Sequence, residues 1–166
     1  SGMSMDGGRF FYPNPLSSDG KYKFNADGNT TRQPWFGCAC CPSNLCRFIP
    51  SVPGYLYGVK DNNIYVNLFA GNTSTIKVNG KDVVLEETTE YPWNGDIKIA
   101  VKKSGVKNAN LLVRIPGWVR NQVVPSDLYK YSDAEKPAYS VTVNGKAVEA
   151  DLDANKGYLP VKNIKK

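Results

Sequence analysis

From Gly54 onward, apolar and polar residues alternate with a period of two, the signature of strands with one buried face. "GYLYGVKDNNIYVNLFAG" predicts two strands around a turn at Asp61-Asn62-Asn63. Along the second strand, Ile64, Val66 and Leu68 share one face, and Tyr65, Asn67 and Phe69 share the other. "TIKVNGKDVVLEETTEY" predicts a hairpin turning at Asn79-Gly80, a pair suited to the positive φ angles of a type I′ turn. "DIKIAVKK" sets Ile97, Ile99 and Val101 against Lys98, Ala100 and Lys102, and "NLLVRIPGW" reads as a buried strand ended by Pro116-Gly117. "YSVTVNGKAVEADL" repeats the Asn-Gly hairpin, and a last short strand is expected near Tyr158 to Val161. The likeness of IKVNGKDV to VTVNGKAV is a repeated turn solution rather than a duplication. The longest break in the pattern runs from Arg120 to Pro137 and predicts a surface excursion.

The first fifty residues lack this periodicity. They are rich in Gly, Pro, Asn and Ser and read as extended pieces and turns. One short helix is expected after Cys41, with Pro42 in its first turn, Ser43 or Asn44 capping, and Pro50 and Pro53 stopping it. The predicted fold class is therefore mainly β: an antiparallel β-sandwich over 54–166, preceded by an irregular segment, 1–53, with one short helix after the cysteines.

Composition narrows the chemistry. A 166-residue chain with 41% hydrophobic residues and ten Tyr can bury a core and is not expected to be disordered. No apolar run is long enough to span a membrane, and SGMSMDGG has no signal-peptide pattern. The compartment stays open, and Ser1-Gly2 ahead of Met3 reads as a tag remnant or an internal cut. The net charge of +6 is spread over scattered lysines, with a local excess only at Lys162, Lys165 and Lys166, which argues against nucleic acid as a partner. The chain has no histidine, so any metal must be held by thiolate or carboxylate.

All four cysteines fall between Cys38 and Cys46, in WFGCACCPSNLCRF. Three readings compete. Adjacent Cys40 and Cys41 disfavour a bond with each other, although a Cys38–Cys46 bridge is sterically open. Metal thiolates are a second reading, with spacing poor for a zinc ribbon. A nucleophile is the third, since CCP lies where a helix would begin, and a helix N-terminus lowers a thiol pKa.

At this point the residues carry a resemblance. CACCPSNLCR resembles the CCPPN-x-A-R signature of glycoside hydrolase family 127, the β-L-arabinofuranosidase family. FFYPNPL, LYGVKDNNIYVNLFAG, EYPWNGDIKIAV and LLVRIPGW resemble further family stretches in the same order. The resemblance implies that 1–53 is the tail end of a catalytic (α/α)6 barrel and 54–166 a following β-sandwich. It implies a retaining hydrolase of plant-type arabinofuranosyl glycans with zinc held by one Glu and three cysteines. Cys40 would be the nucleophile and a zinc ligand, and Cys41 a zinc ligand only. Tyr12 and Trp35, which flank the cysteine segment, are candidates for contacting substrate.

The departures matter as much. Ser43 replaces the signature's second Pro and Cys46 its Ala, and no Glu precedes Glu86. The acid/base Glu, the zinc Glu and the third zinc cysteine would therefore lie outside this chain. By itself it would be inactive, and its partners would be a glycan substrate, the rest of the barrel, or a second copy through the barrel-facing surface. Cys38 and Cys46 read as plain small residues. Glu86, Glu87 and Glu90 are expected on a solvated face rather than as a glycosidase carboxylate pair. Arg47 is read as a surface ion pair or a partner for a carboxylate near the site. The competing function class is a non-catalytic sandwich module that binds carbohydrate or packs on another domain.

Overall fold

The computed structural model describes residues 2–38, 40–133 and 139–165. The chain divides into two compact units, 1–52 and 53–166.

The first unit is irregular until its helix. Phe10 and Gln33 exchange backbone hydrogen bonds of 2.9 and 3.0 Å, an isolated bridge that folds residues 10–12 back onto 33–36. Phe10 and Phe36 are buried against each other edge to face, ring centres 5.0 Å apart. Asn25 is buried but satisfied: its Oδ1 accepts from the Tyr12 N–H at 3.2 Å and its Nδ2 donates to the Thr31 carbonyl at 2.7 Å. Arg32 sits over the Phe11 ring at 4.5 Å.

Helix α1 spans Cys40–Ser51 and is longer than the pattern predicts at both ends. It starts at the cysteine pair itself, because Pro42 falls in the first turn, where its missing N–H has no intrahelical partner to lose. Pro50 lies inside the helix instead of ending it. Its lost N–H costs one bond within the last turn. Val52 N–H bonds the Phe48 and Ile49 carbonyls at 3.2 Å, and the Ser51 hydroxyl bonds the Phe48 carbonyl at 2.7 Å.

The second unit opens with a short helical turn, α2 (Pro53–Leu56), where a strand was expected. A four-stranded sheet follows in the order β1 (Tyr57–Lys60), β2 (Asn63–Val66), β6 (Asn110–Arg114), β9 (Tyr158–Val161). A three-stranded sheet contains β3 (Asn72–Val78), β4 (Lys81–Thr89) and β5 (Ile97–Ser104). A small hairpin pairs β7 (Thr142–Val143) with β8 (Lys146–Ala147). Both Asn-Gly turns are present, with positive φ at Asn79, Gly80, Asn144 and Gly145. The pairings are antiparallel except one: β2 and β6 run parallel, Ile64 opposite Leu111. A parallel pair needs a long crossover, and the whole β3–β5 sheet is that crossover.

Alternation then builds one core between the two sheets. Ile64 and Val66 of β2 and Leu111 of β6 meet Ile76 and Val78 of β3 and Val83 and Leu85 of β4. A second, smaller core joins Ile115, Leu152 and Leu159. The 121–133 stretch has no regular element, and residues 134–138 of the expected excursion lie outside the described residues. Among the described residues no helix is long and apolar enough to cross a membrane.

Candidate active site

The Phe10–Gln33 bridge and the Asn25 side chain hold the 10–12 backbone, and the Phe36 ring meets the Tyr12 ring edge to face at 5.5 Å. These contacts bring the Tyr12 hydroxyl to the start of α1, where the Cys40 thiol lies 3.8 Å away, within hydrogen-bond reach of sulfur. The Cys41 sulfur is 3.9 Å from that of Cys40. The first turn is tied down by its own side chains, since Ser43 Oγ and Asn44 Nδ2 both donate to the Cys40 carbonyl, at 3.1 and 2.8 Å. All four cysteines are free thiols, which removes the Cys38–Cys46 bridge left open by spacing. Cys40 is exposed and Cys41 half-buried.

The electrostatics split the adjacent pair. The Cys40 pKa is lowered below its ordinary 9.0, first by the hydrogen bond with Tyr12, then by those with Cys38 and Cys41. Burial pushes Cys41 above 9.0, and the neighbouring Cys40 sulfur adds to the rise. Tyr12 is pushed up to about 12 by its hydrogen bonds with Cys38 and Cys40 and then by their charge. Tyr12 therefore keeps its proton; its hydroxyl accepts from the neutral Cys40 thiol and can turn to donate once that sulfur ionises. Of the two adjacent thiols, Cys40 is therefore the one that ionises more readily.

The remaining expected residues are less engaged. Trp35 is 59% exposed and takes no part in the ring contacts that hold Tyr12, which Phe36 supplies instead. Arg47 makes no ion pair among the described residues. Glu86 pairs with Lys102 at 3.0 Å. Glu87 corrects the solvated-face expectation: it is 2% exposed, accepting from the Tyr57 hydroxyl at 3.2 Å and the Ala70 N–H at 3.1 Å. Adjacent strand residues face opposite ways, so Glu87 shares the inward face of Val83 and Leu85. Asn25 is a neighbour of the cluster that sequence reasoning missed, and Cys38, read there as a plain small residue, hydrogen-bonds with Tyr12 and Cys40. Asn25 is hidden in the polar turn segment FNADGN, where nothing marks one Asn as buried.

The site can be tested for zinc. Two thiolates on one tetrahedral zinc, with bonds near 2.3 Å, stand about 3.8 Å apart. The Cys40–Cys41 separation of 3.9 Å suits that arrangement. The described residues hold no group of three or more His, Cys, Asp or Glu placed to bind a metal, so the pair supplies at most part of a ligand set.

Comparison with known proteins shows the family of the chain. Residues 1–54 match the β-L-arabinofuranosidase, GH127 catalytic domain, and residues 63–166 match the GH127 middle domain. The non-reducing end β-L-arabinofuranosidase of Bifidobacterium longum is 30% identical, covering 97% of this chain and 23% of its own length. Among solved structures, a GH127 β-arabinofuranosidase is 54% identical with a TM-score of 0.82, over 98% of this chain and 24% of that one. A GH127 β-L-arabinofuranosidase from Geobacillus stearothermophilus T6 is 32% identical with a TM-score of 0.74, over 99% of this chain and 24% of that one. The chain thus spans about a quarter of the length of these relatives. With its cysteine-bearing first unit matched to the catalytic domain and its two sheets to the middle domain, the chain belongs to the glycoside hydrolase family 127 β-L-arabinofuranosidases.

Proposed function

We propose that this chain is the part of a retaining β-L-arabinofuranosidase that carries the nucleophile, with residues 1–53 completing a catalytic barrel and 54–166 forming the adjoining sandwich. The observation that carries the reading is the geometry at the start of α1: an exposed Cys40 thiol 3.8 Å from the Tyr12 hydroxyl and 3.9 Å from the half-buried Cys41 sulfur, an asymmetry that the lowered Cys40 pKa and the raised Cys41 pKa follow. The Cys40 sulfur attacks the anomeric carbon as the glycosidic C–O bond breaks, and the departing oxygen takes a proton. Water then attacks the same carbon from the opposite side, and the sulfur leaves as thiolate. Two inversions give net retention.

The leaving group's proton must come from outside the first unit. Its carboxylates are Asp6, Asp19 and Asp27, each engaged in local turns: with Ser4 and Gly8, with Lys21 and Tyr22, and with Asn29. Cys40 and Cys41 are the residues that would hold zinc, whose charge would keep thiol ligands deprotonated at neutral pH. Tyr12 holds its proton on the sulfur side of the site and orients the thiolate, and Trp35 offers an exposed ring face for the arabinofuranosyl glycan. None of the α1 residues is buried, and Phe48 and Ile49 expose their side chains. An apolar helix face left in solvent supports a first unit that packs against more protein.

The test is Cys40→Ser in the whole enzyme. Activity on an arabinofuranoside should fall on the order of 10³-fold or more with the fold intact. The anomer first released by the wild type should be the retained one. An active Cys40→Ser enzyme, or release of the inverted sugar, refutes the assignment. The 166-residue chain by itself should be inactive.

A further inference from the structure

We infer that the second unit carries a binding cleft for a carboxylate-bearing sugar, a uronate within a glycan chain. The cleft has a volume of about 440 Å³, inside the range of small-ligand sites. Its walls carry three cations, Arg114, Arg120 and Lys156, and no Asp or Glu. Three aromatic residues, Phe69, Tyr91 and Trp118, line it as well. Phe69 and Tyr91 pack edge to face at 5.8 Å, while Trp118 is 56% exposed. Sugars are held by aromatic faces, and planar guanidinium binds carboxylate through paired hydrogen bonds.

The cations are not equivalent. Arg120 is spent on structure: Nη1 bonds Asp153 at 3.1 Å and Nη2 bonds Gln122 Oε1 at 3.1 Å. Its Nε is buried with no hydrogen-bond partner among the described residues, a donor that a ligand oxygen or a water would satisfy. Arg114 is exposed and its side chain makes no ion pair or hydrogen bond among the described residues, so its charge is available.

The wall is also preformed. Ile115 N–H bonds the Gly157 carbonyl and Gln122 N–H the Gly117 carbonyl, both at 2.8 Å. A Cβ on Gly117 would meet the Gln122 carbonyl at 3.0 Å, and one on Gly157, at φ +84°, would meet Arg120 Nη2 at 3.1 Å. A side chain at either position would crowd these segments, and at Gly157 the positive φ also favours glycine; a wall fixed in advance loses little entropy on binding.

The choice of a sugar over other anions rests on the glycoside hydrolase reading, but the test does not need catalysis. Tryptophan fluorescence of the 166-residue chain is titrated with trigalacturonate and with neutral arabinotriose. Saturable binding of trigalacturonate is expected, at least about tenfold tighter than arabinotriose. Arg114→Gln and Trp118→Ala should each weaken it about tenfold or more, and high salt should weaken it too. Cys40→Ser should leave it unchanged, so loss of activity in that variant and loss of binding in Arg114→Gln are read separately. No saturation up to about 10 mM, equal affinity for the neutral trisaccharide, or an unaffected Arg114→Gln variant overturns the inference.

Discussion

Glu87 gives the sharpest test of how the sandwich is held together. Its carboxylate joins β4 to the segment between β2 and β3 through Ala70 N–H, and to β1 through the Tyr57 hydroxyl, which Asn72 also contacts at 3.1 and 3.2 Å. Burial raises its pKa above the ordinary 4.5, and the bonds from Tyr57 and Ala70 pull it back without cancelling the rise. A folded pKa above the unfolded one means that the native state favours the protonated form. The stability this contributes is fully present below pH 4.5 and lost as pH rises through the folded value. Glu87→Gln removes that loss while keeping the bonds. The amide oxygen accepts from Ala70, the amide nitrogen donates to Tyr57, and the Tyr57 proton turns to Asn72. Glu87→Ala leaves the Ala70 N–H orphaned in a small void, a cost of about 2–4 kcal/mol together. Urea unfolding between about pH 4 and pH 8 separates the two. The Gln variant should match wild type at the acid end, gain on it as pH rises from about 4.5 through the folded Glu87 pKa, and hold a constant margin above that, while the Ala variant is weaker throughout. A Gln variant whose disadvantage grows with pH would show that the ionised carboxylate is favoured in the core, contrary to the burial argument.

Three further outcomes follow from the packing and the cysteine cluster. In metal-free protein, iodoacetamide should modify Cys40 ahead of Cys41 at neutral pH, and Tyr12→Phe should slow it as the Cys40 pKa climbs back toward 9.0, a shift readable from the pH dependence of the alkylation rate by mass spectrometry. Leu85→Ala, at a fully buried position between the sheets, should cost about 2–5 kcal/mol by urea unfolding, with no effect on the identity of the alkylated cysteine. Asn25→Ala orphans the Tyr12 N–H and the Thr31 carbonyl, and should both destabilise the first unit by about 1–3 kcal/mol and blunt the reactivity difference between Cys40 and Cys41.

The strands were legible because each depends on its own residues. Period-two alternation and the Asn-Gly turns located the hairpins at 72–89 and 142–147 and the strand at Tyr158–Val161. What local pattern does not contain is pairing. Nothing in the alternation of NNIYVN distinguishes a β2 strand that takes a hairpin neighbour on one side and a distant parallel partner on the other. Glu87 was illegible for a related reason. In ETT-rich sequence a polar residue on the inward register looks like a frayed strand end, and its partners Tyr57 and Ala70 lie 30 and 17 residues away. The helix is legible at its start, where Pro42 falls in the first turn as its chemistry predicts, and not at its end, where Pro50 lies within the last turn instead of stopping the helix.

The cysteines divide in the same way between local and distant information. Their adjacency, and their place at a helix start, could be read from nine consecutive residues. Which sulfur ionises more readily could not, because both share the helix N-terminus and differ only in surroundings. That difference comes from Tyr12, 28 residues upstream, placed by the neighbouring Phe10–Gln33 bridge and by the Asn25 amide oxygen that accepts from its N–H, and from the partial burial that Cys41 meets and Cys40 escapes. A family signature names the pair, whereas the order of reactivity within it is a property of the fold around it. If the Tyr12 hydroxyl sets that order, removing it should narrow the gap between the two thiols without exchanging them, since burial still disfavours the Cys41 thiolate. An exchange of order in Tyr12→Phe would mean that burial at Cys41 is not the second cause, and that the helix start alone cannot hold the charge on Cys40.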